Sequence, residues 1–271
     1  MISTPLVSRL VRMSFALALA VPVFGQTVDE LLRSSTAKRN VRDFPGAIAD
    51  CDRVIALDGR NAMAYVLRGE ARRAAGDGDG AVADYNQAVE LNPADSSTYS
   101  ARSAAKWSLG DKAGALADLT KAIELNPKPI RNTYSNRGFL KQSMGDLAGA
   151  AADFAKEIEL NPGDAVAHFR RSSVRQALGD AAGALADVAK AIELKPDYAA
   201  AYVGRGSVKQ DLGDCEGAIA DYSKAIALDP ADRQAYFNRG NAKKAKGDRL
   251  GAMDDFDRAL ELEAKAKSPR R

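Results

Sequence analysis

Histidine and tryptophan occur once each in the 271 residues, cysteine twice, and aromatic residues make up only 6%. An imidazole-based catalytic or metal site therefore has one candidate, His168. No serine or cysteine has a partner base at a recognisable spacing, and neither a glycine-rich phosphate loop nor a metal-ligand pattern is present. No catalytic residue, cofactor or metal is expected, and the chain reads as a non-enzyme. Cys51 and Cys215 are too few and too far apart for a disulfide framework. Alanine, by contrast, is everywhere, so the core must be built from small side chains at close approach, which favours helix against helix. With 46% apolar and 28% charged residues the composition is that of a globular, all-α protein.

After residue 25 no apolar run is long enough to span a bilayer. The first 25 residues, MISTPLVSRLVRMSFALALAVPVFG, are different in kind: Arg9 and Arg12 precede an apolar run from Met13 to Phe24, and no acid occurs before Asp29. This is the pattern of a secretory signal, with small residues before Gln26 and no cysteine nearby for lipidation. The mature chain is expected to start near Gln26, exported to a periplasm or secreted. A retained anchor is the alternative, but the run falls below the roughly 20 residues of a spanning helix and is broken by Pro22. Loss of Arg9 and Arg12 leaves 37 basic against 36 acidic residues, from 39 and 36 in the whole chain. So nearly neutral a chain lacks the basic face of a nucleic-acid binder.

One phrase recurs: AVADYNQAVELNP at 81–93, ALADLTKAIELNP at 115–127, ALADVAKAIELKP at 184–196 and AIADYSKAIALDP at 218–230. Pro93, Pro127, Pro162, Pro196 and Pro230 are spaced by 34, 35, 34 and 34 residues, and Gly76, Gly110, Gly145, Gly179, Gly213 and Gly247 keep the same rhythm. The period defines seven repeats, 28–61, 62–95, 96–129, 131–164, 165–198, 199–232 and 233–266, with Ile130 inserted, and leaves 267–271 as a basic tail. Each repeat reads as two helices: in the sixth, Gly213 ends the first, Asp214 caps the second, and Pro230 stops it. Neither helix buries its apolar stripe alone, so the repeats must stack. In this register Cys51 falls at a core place and Cys215 in an exposed turn, and GDGDG at 76–80 is a helix-to-helix turn rather than a calcium loop.

The chain resembles the tetratricopeptide repeat family. Its signature is carried by Tyr65, Gly69, Ala81, Tyr85, Ala88 and Pro93, again by Tyr202, Gly206, Ala218, Tyr222, Ala225 and Pro230, and by Tyr236, Gly240, Ala252, Phe256 and Ala259. His168 replaces the early tyrosine of the fifth repeat, Glu157 the second alanine of the fourth, and Ala264 the last proline. The resemblance implies a right-handed superhelical solenoid of tandem helix-turn-helix repeats whose first helices line a concave groove that binds a peptide or protein.

Two rows of residues depart from or add to that pattern. The seventh place of the repeats is Arg68, Arg102, Arg137, Arg171, Arg205 and Arg239, where the family usually has an apolar residue, and the place four residues on is Lys or Arg in every repeat. The second helices answer with Asp50, Asp84, Asp118, Asp153, Asp187, Asp221 and Asp255. These rows predict a ladder of inter-helix ion pairs that fixes how repeats stack; the alternative is an anion-binding stripe. Places two, five, nine and twelve of the first helices share a different face. The groove candidates on it are Val66, Arg73, Ser100, Trp107, Phe139, Gln142, Phe169, Gln176, Val203, Gln210, Phe237, Asn241 and Lys244. In its central stretch this face is uncharged, with Gln and Ser in place of the Lys and Asn pairs that clamp a C-terminal carboxylate in some family members. Trp107, Phe139 and Phe169 suit an apolar or amphipathic segment.

The expected function is a protein-interaction scaffold or adaptor. The alternative is self-association into a homo-oligomer through the last repeat, whose second helix carries Met253, Phe256, Leu260 and Leu262 with no further helix to cover them.

Overall fold

The computed structural model describes residues 26–127 and 132–267, so the expected signal segment, the inserted Ile130 and the tail beyond Lys267 lie outside the described residues. Among the described residues there are fourteen helices and no strand. They pair in chain order as α1 (Val28–Asn40) with α2 (Phe44–Leu57), α3 (Ala62–Ala75) with α4 (Gly78–Leu91), α5 (Ser96–Ser108) with α6 (Lys112–Leu125), and α7 (Thr133–Ser143) with α8 (Leu147–Leu160). The series continues with α9 (Ala165–Ala177) and α10 (Ala181–Leu194), α11 (Ala199–Asp211) and α12 (Cys215–Leu228), and α13 (Arg233–Lys246) and α14 (Arg249–Lys267). The chain divides into two compact units, one ending at Asn92 with two hairpins and one from Pro93 with five. Within each unit every helix packs on its partner, and each second helix packs on the first helix of any hairpin that follows it. The last helix runs one residue past the expected repeat boundary, to Lys267.

Local chemistry explains the hairpins. The first helices end at a residue with positive φ, which is Gly at 76, 110, 145, 179, 213 and 247. An aspartate follows and caps the second helix: Asp214 accepts from the backbone N–H of Gly217, and Asp43, Asp77, Asp111, Asp146, Asp180 and Asp248 do the same to the glycine three residues on. Asp77 is thus a helix cap within GDGDG.

Within each unit the core is a series of small clusters at the hairpin junctions, with alanine as its commonest member. Leu31, Val54 and Ala64 join α1, α2 and α3, while Ala150, Phe154 and Val174 join α8 and α9. Volume is matched inside each hairpin between the eighth and twenty-fourth places. A Cβ on Gly69, Gly138, Gly206 or Gly240 would stand 2.9, 3.1, 2.7 or 2.7 Å from the ring of Tyr85, Phe154, Tyr222 or Phe256. Where the eighth place is serine, the facing residue is smaller: Ser35 meets Cys51, while Ser103 and Ser172 stand in the repeats carrying Leu119 and Val188. Those serine hydroxyls are used inside the core, Ser103 and Ser172 each donating 2.9 Å to a second-helix carbonyl, Ala115 or Ala184. Cys51 is fully buried, and burial pushes its thiol up; Cys215 is partly exposed as the first residue of α12.

Candidate functional site

The basic and acidic rows meet inside each hairpin. Sixteen residues separate arginine from aspartate, which brings the first helix's second turn level with the middle of the second helix. Arg205 forms a two-pronged pair with Asp221, Nε to Oδ2 at 2.9 Å and Nη2 to Oδ1 at 2.6 Å, and Lys209 adds Nζ to Oδ2 at 2.8 Å. The same three-membered arrangement joins Arg68 and Arg72 to Asp84, Arg102 and Lys106 to Asp118, Arg137 and Lys141 to Asp153, Arg171 and Arg175 to Asp187, and Arg239 and Lys243 to Asp255. In the first repeat Ser34 stands in for the arginine, and Asp50 takes 2.6 and 2.7 Å bonds from Ser34 and Lys38. The ladder therefore braces each hairpin internally, and the expected role in fixing repeat stacking is corrected. The reason is the register: each aspartate is saturated by its own first helix. Arg68 also pairs with Asp52 of the preceding repeat at 2.6 Å, and Arg239 Nη1 donates to Ser223 Oγ of the preceding repeat at 3.1 Å.

These carboxylates are almost wholly buried, and their cations lie between buried and exposed. Burial pushes the Asp255 carboxyl up, but hydrogen bonds from Arg239 and Lys243 prevail and hold it below its ordinary value; Lys38 and Ser34 do the same for Asp50. The aspartate bonds raise the guanidiniums of Arg137, Arg205 and Arg239 against the opposing effect of burial. Five of the arginines also lie 5.3–5.7 Å over the tyrosine three residues before them, Tyr65, Tyr99, Tyr134, Tyr202 and Tyr236. In the fifth repeat His168 takes that tyrosine's place. Its Nε2 reaches the Pro162 carbonyl at 3.3 Å, as Tyr202 Oη reaches that of Pro196 at 3.2 Å. Its Nδ1 is buried, 3.7 Å from Asp187 Oδ1, with no hydrogen-bond partner among the described residues. With every guanidinium of the row committed to an aspartate, the arrangement is bracing rather than an anion stripe.

The groove candidates divide by environment. Trp107 is half-buried, packed against the Ala115, Leu119 and Leu140 cluster and edge-on to Phe139 at 5.6 Å. Phe169 is half-buried against Tyr198 at 5.2 Å and over Gly204, where a Cβ would meet its ring at 2.8 Å. Phe139 and Phe237 remain 40% and 48% exposed, with the Arg170 guanidinium 4.8 Å over Phe139. Gln176 donates to Ser207 Oγ at 2.9 Å and Asp211 at 2.6 Å, linking α9 to α11, and Gln210 accepts from Tyr222 at 3.2 Å. Ser100 donates to the Ser96 carbonyl. Gln142, Val203 and Asn241 are partly exposed and Lys244 is exposed. Val66 and Arg73 belong to the N-terminal unit, Val66 partly and Arg73 largely exposed.

Two residues matter that the pattern reading passed over or noted only as departures. Glu157 is buried, and its carboxylate accepts from the backbone N–H groups of Asn132 at 3.4 Å and Ser135 at 3.3 Å. It supplies the cap that α7 lacks, since Asn132 at its start has positive φ and makes no side-chain cap bond. The second is Arg42. It has φ 64°, at the turn place where the other six repeats have glycine.

Among the described residues, no group of three or more His, Cys, Asp or Glu is placed to hold a metal ion, and no helix is long and apolar enough to cross a membrane. A TPR repeat model matches residues 206–247, and tetratricopeptide repeat models match residues 32–96, 96–129 and 234–265. No curated protein matches the chain. Among solved structures, a tetratricopeptide repeat protein from Parabacteroides merdae ATCC 43184 is 22% identical over 88% of this chain and 94% of its own, with TM-score 0.67. The C-terminal part of a TPR repeat-containing protein from Cytophaga hutchinsonii is 16% identical over 87% and 96%, with TM-score 0.70. YrrB, described as a TPR protein with an unusual peptide-binding site, is 22% identical over 66% and 92%, with TM-score 0.55. This fold supports protein-interaction scaffolds in general, and its relatives are typically non-catalytic. Family models over both ends of the array and a shared fold with TPR proteins place the chain in one family: it belongs to the tetratricopeptide repeat proteins.

Proposed function

We propose that the chain is a non-enzymatic adaptor that holds a partner peptide or protein on the first-helix face of its C-terminal unit. The observation that carries this reading is the exposed apolar surface of Phe139, Val166 and Phe237 on α7, α9 and α13. Half-buried Trp107 and Phe169 fix the rings beside them, and partly exposed Gln142 adds an amide on the same face. Rigid aromatic anchors among polar groups suit an amphipathic segment. YrrB, of similar fold, has a peptide-binding site. A photo-crosslinking residue at 139 or 237 should capture a partner protein in cells, and one at Lys121, on an exposed second-helix position, should not; equal capture at all three positions, or none, would sink the reading.

A second reading has its own observation. On the last hairpin, Phe237, Phe256, Ala259 and Leu260 line an apolar pocket, and Met253 and Leu260 are 59% and 63% exposed. Self-association through that end predicts a mass that climbs with concentration in light scattering and falls back on Leu260→Lys. Export with removal of residues 1–25 is part of the proposal, tested by the mass of the protein recovered from the native host.

A further inference from the structure

The strained turn at Arg42 opens onto a basic cleft in the N-terminal unit. Six of seven repeats put glycine at this place, which needs φ near +80 to +91°, and the first puts arginine there at φ 64°. A left-handed arginine is disfavoured by its Cβ, and such outliers persist where the side chain is needed. Arg42, Arg39, Arg73 and Phe44 line one open cleft, with Glu70 on its wall. Glu70 pairs with Arg39, leaving Arg42 and Arg73 with no carboxylate partner among the described residues and the group with a net charge of about +2 at neutral pH. Behind Arg73 and Arg39 lies Tyr85, whose hydroxyl is buried without a hydrogen-bond partner. In the sixth repeat the equivalent Tyr222 hydroxyl donates to Gln210, the residue at the place of Arg73. In the second repeat that place is cationic, and the Arg73 guanidinium beside the Tyr85 hydroxyl opposes the upward push of burial on it.

From the left-handed turn and the two guanidiniums that face the cleft without a carboxylate, we propose that this cleft binds a tetrahedral oxyanion of the phosphate class, free or as a monoester. A phosphate near pH 7 carries close to two negative charges and presents several acceptor oxygens, which matches two unpaired guanidinium forks better than a single carboxylate does. Arg42 supplies one fork from the turn and Arg73 the other from α3, while the Arg39–Glu70 pair holds the wall between them. The site stands independently of the partner face on the C-terminal unit.

The test is calorimetric titration of the full chain with inorganic phosphate at constant ionic strength set by chloride. Saturable binding is expected, weakened at least tenfold by Arg42→Gly and by Arg73→Gln and unchanged by Lys121→Gln in the other unit. Arg42→Gly relieves the backbone, so its urea midpoint should rise while binding is lost, which separates the site from general unfolding. O-phosphoserine binding more tightly than phosphate would identify a monoester as the source, and the reverse order the free ion; either supports the site. Succinate binding as tightly as phosphate, an absence of saturation, or undiminished binding by Arg42→Gly would overturn the proposal.

Discussion

Replacing Asp221 with alanine separates a braced hairpin from a decorated surface. The carboxylate is 6% exposed and takes three charge-assisted bonds, two from Arg205 and one from Lys209. Its removal leaves two cations stranded between α11 and α12. Breaking a buried pair from one side costs about 3–5 kcal/mol. Here the Arg205 and Lys209 side chains are 27% and 26% exposed and can turn partly to water, which places the cost at the lower end, about 3 kcal/mol. Arg205→Ala leaves Asp221 with Lys209 alone, and a cost of about 2 kcal/mol is expected. Lys209→Ala leaves the two-pronged pair in place and should cost about 1 kcal/mol or less.

The ordering, Asp221 over Arg205 over Lys209, is the content of the argument. Urea unfolding followed by circular dichroism gives the three values, and hydrogen exchange of α11 and α12 amides shows whether the loss is local, since repeat arrays open in parts. If Asp221→Ala costs less than about 1 kcal/mol, the pairs behave as exposed ones and the bracing account is wrong. A further arm tests what the charges are for. The double change Arg205→Met with Asp221→Leu strands nothing, so it should be less destabilising than Asp221→Ala alone, as expected where buried ion pairs select geometry more than they stabilise.

The depressed carboxyls of Asp50 and Asp255 make stability depend on pH in one direction: their contribution is present above the ordinary aspartate value and is lost as pH falls below about 4, so the urea midpoint should hold from pH 7 to 5 and drop steeply below. Gly206→Ser puts a Cβ 2.7 Å from the Tyr222 ring and should cost about 1–3 kcal/mol, with much of that recovered by adding Tyr222→Val, the pairing of the fifth repeat; failure of the rescue in urea melts would refute the volume matching. Glu157→Ala restores the residue the repeat pattern favours yet leaves two α7 backbone donors without their acceptor, so a loss of about 2 kcal/mol is expected, with stability at or above the parent as the contrary result.

What was legible in the sequence is what repeats. The helix pairs, the positive-φ glycines, the aspartate caps and the meeting of arginine with aspartate all follow from a 34-residue period, because seven copies average out the ambiguity of any one. Even the matching of Gly69 to Tyr85 and of Ser172 to Val188 was written there, in the covariation of the eighth and twenty-fourth places, but it shows only when two columns are compared rather than one read down. The direction of the ladder was not legible: a row of arginines and a row of aspartates fit pairing within a hairpin or between hairpins equally well, and the sixteen-residue separation decides only once the crossing of the two helices is known.

The residues that carry individual chemistry are those where the period fails. Glu157 reads as a lost alanine until its carboxylate is found on the backbone amides at the start of α7, whose own Asn132 makes no side-chain cap. Arg42 reads as a degenerate first copy until its φ of 64° shows the backbone keeping a glycine conformation without the glycine. In both cases the fold holds its geometry while the residue at the place departs from the pattern. For Arg42 the proposed reason lies in the basic cleft it shares with Arg73 and Arg39.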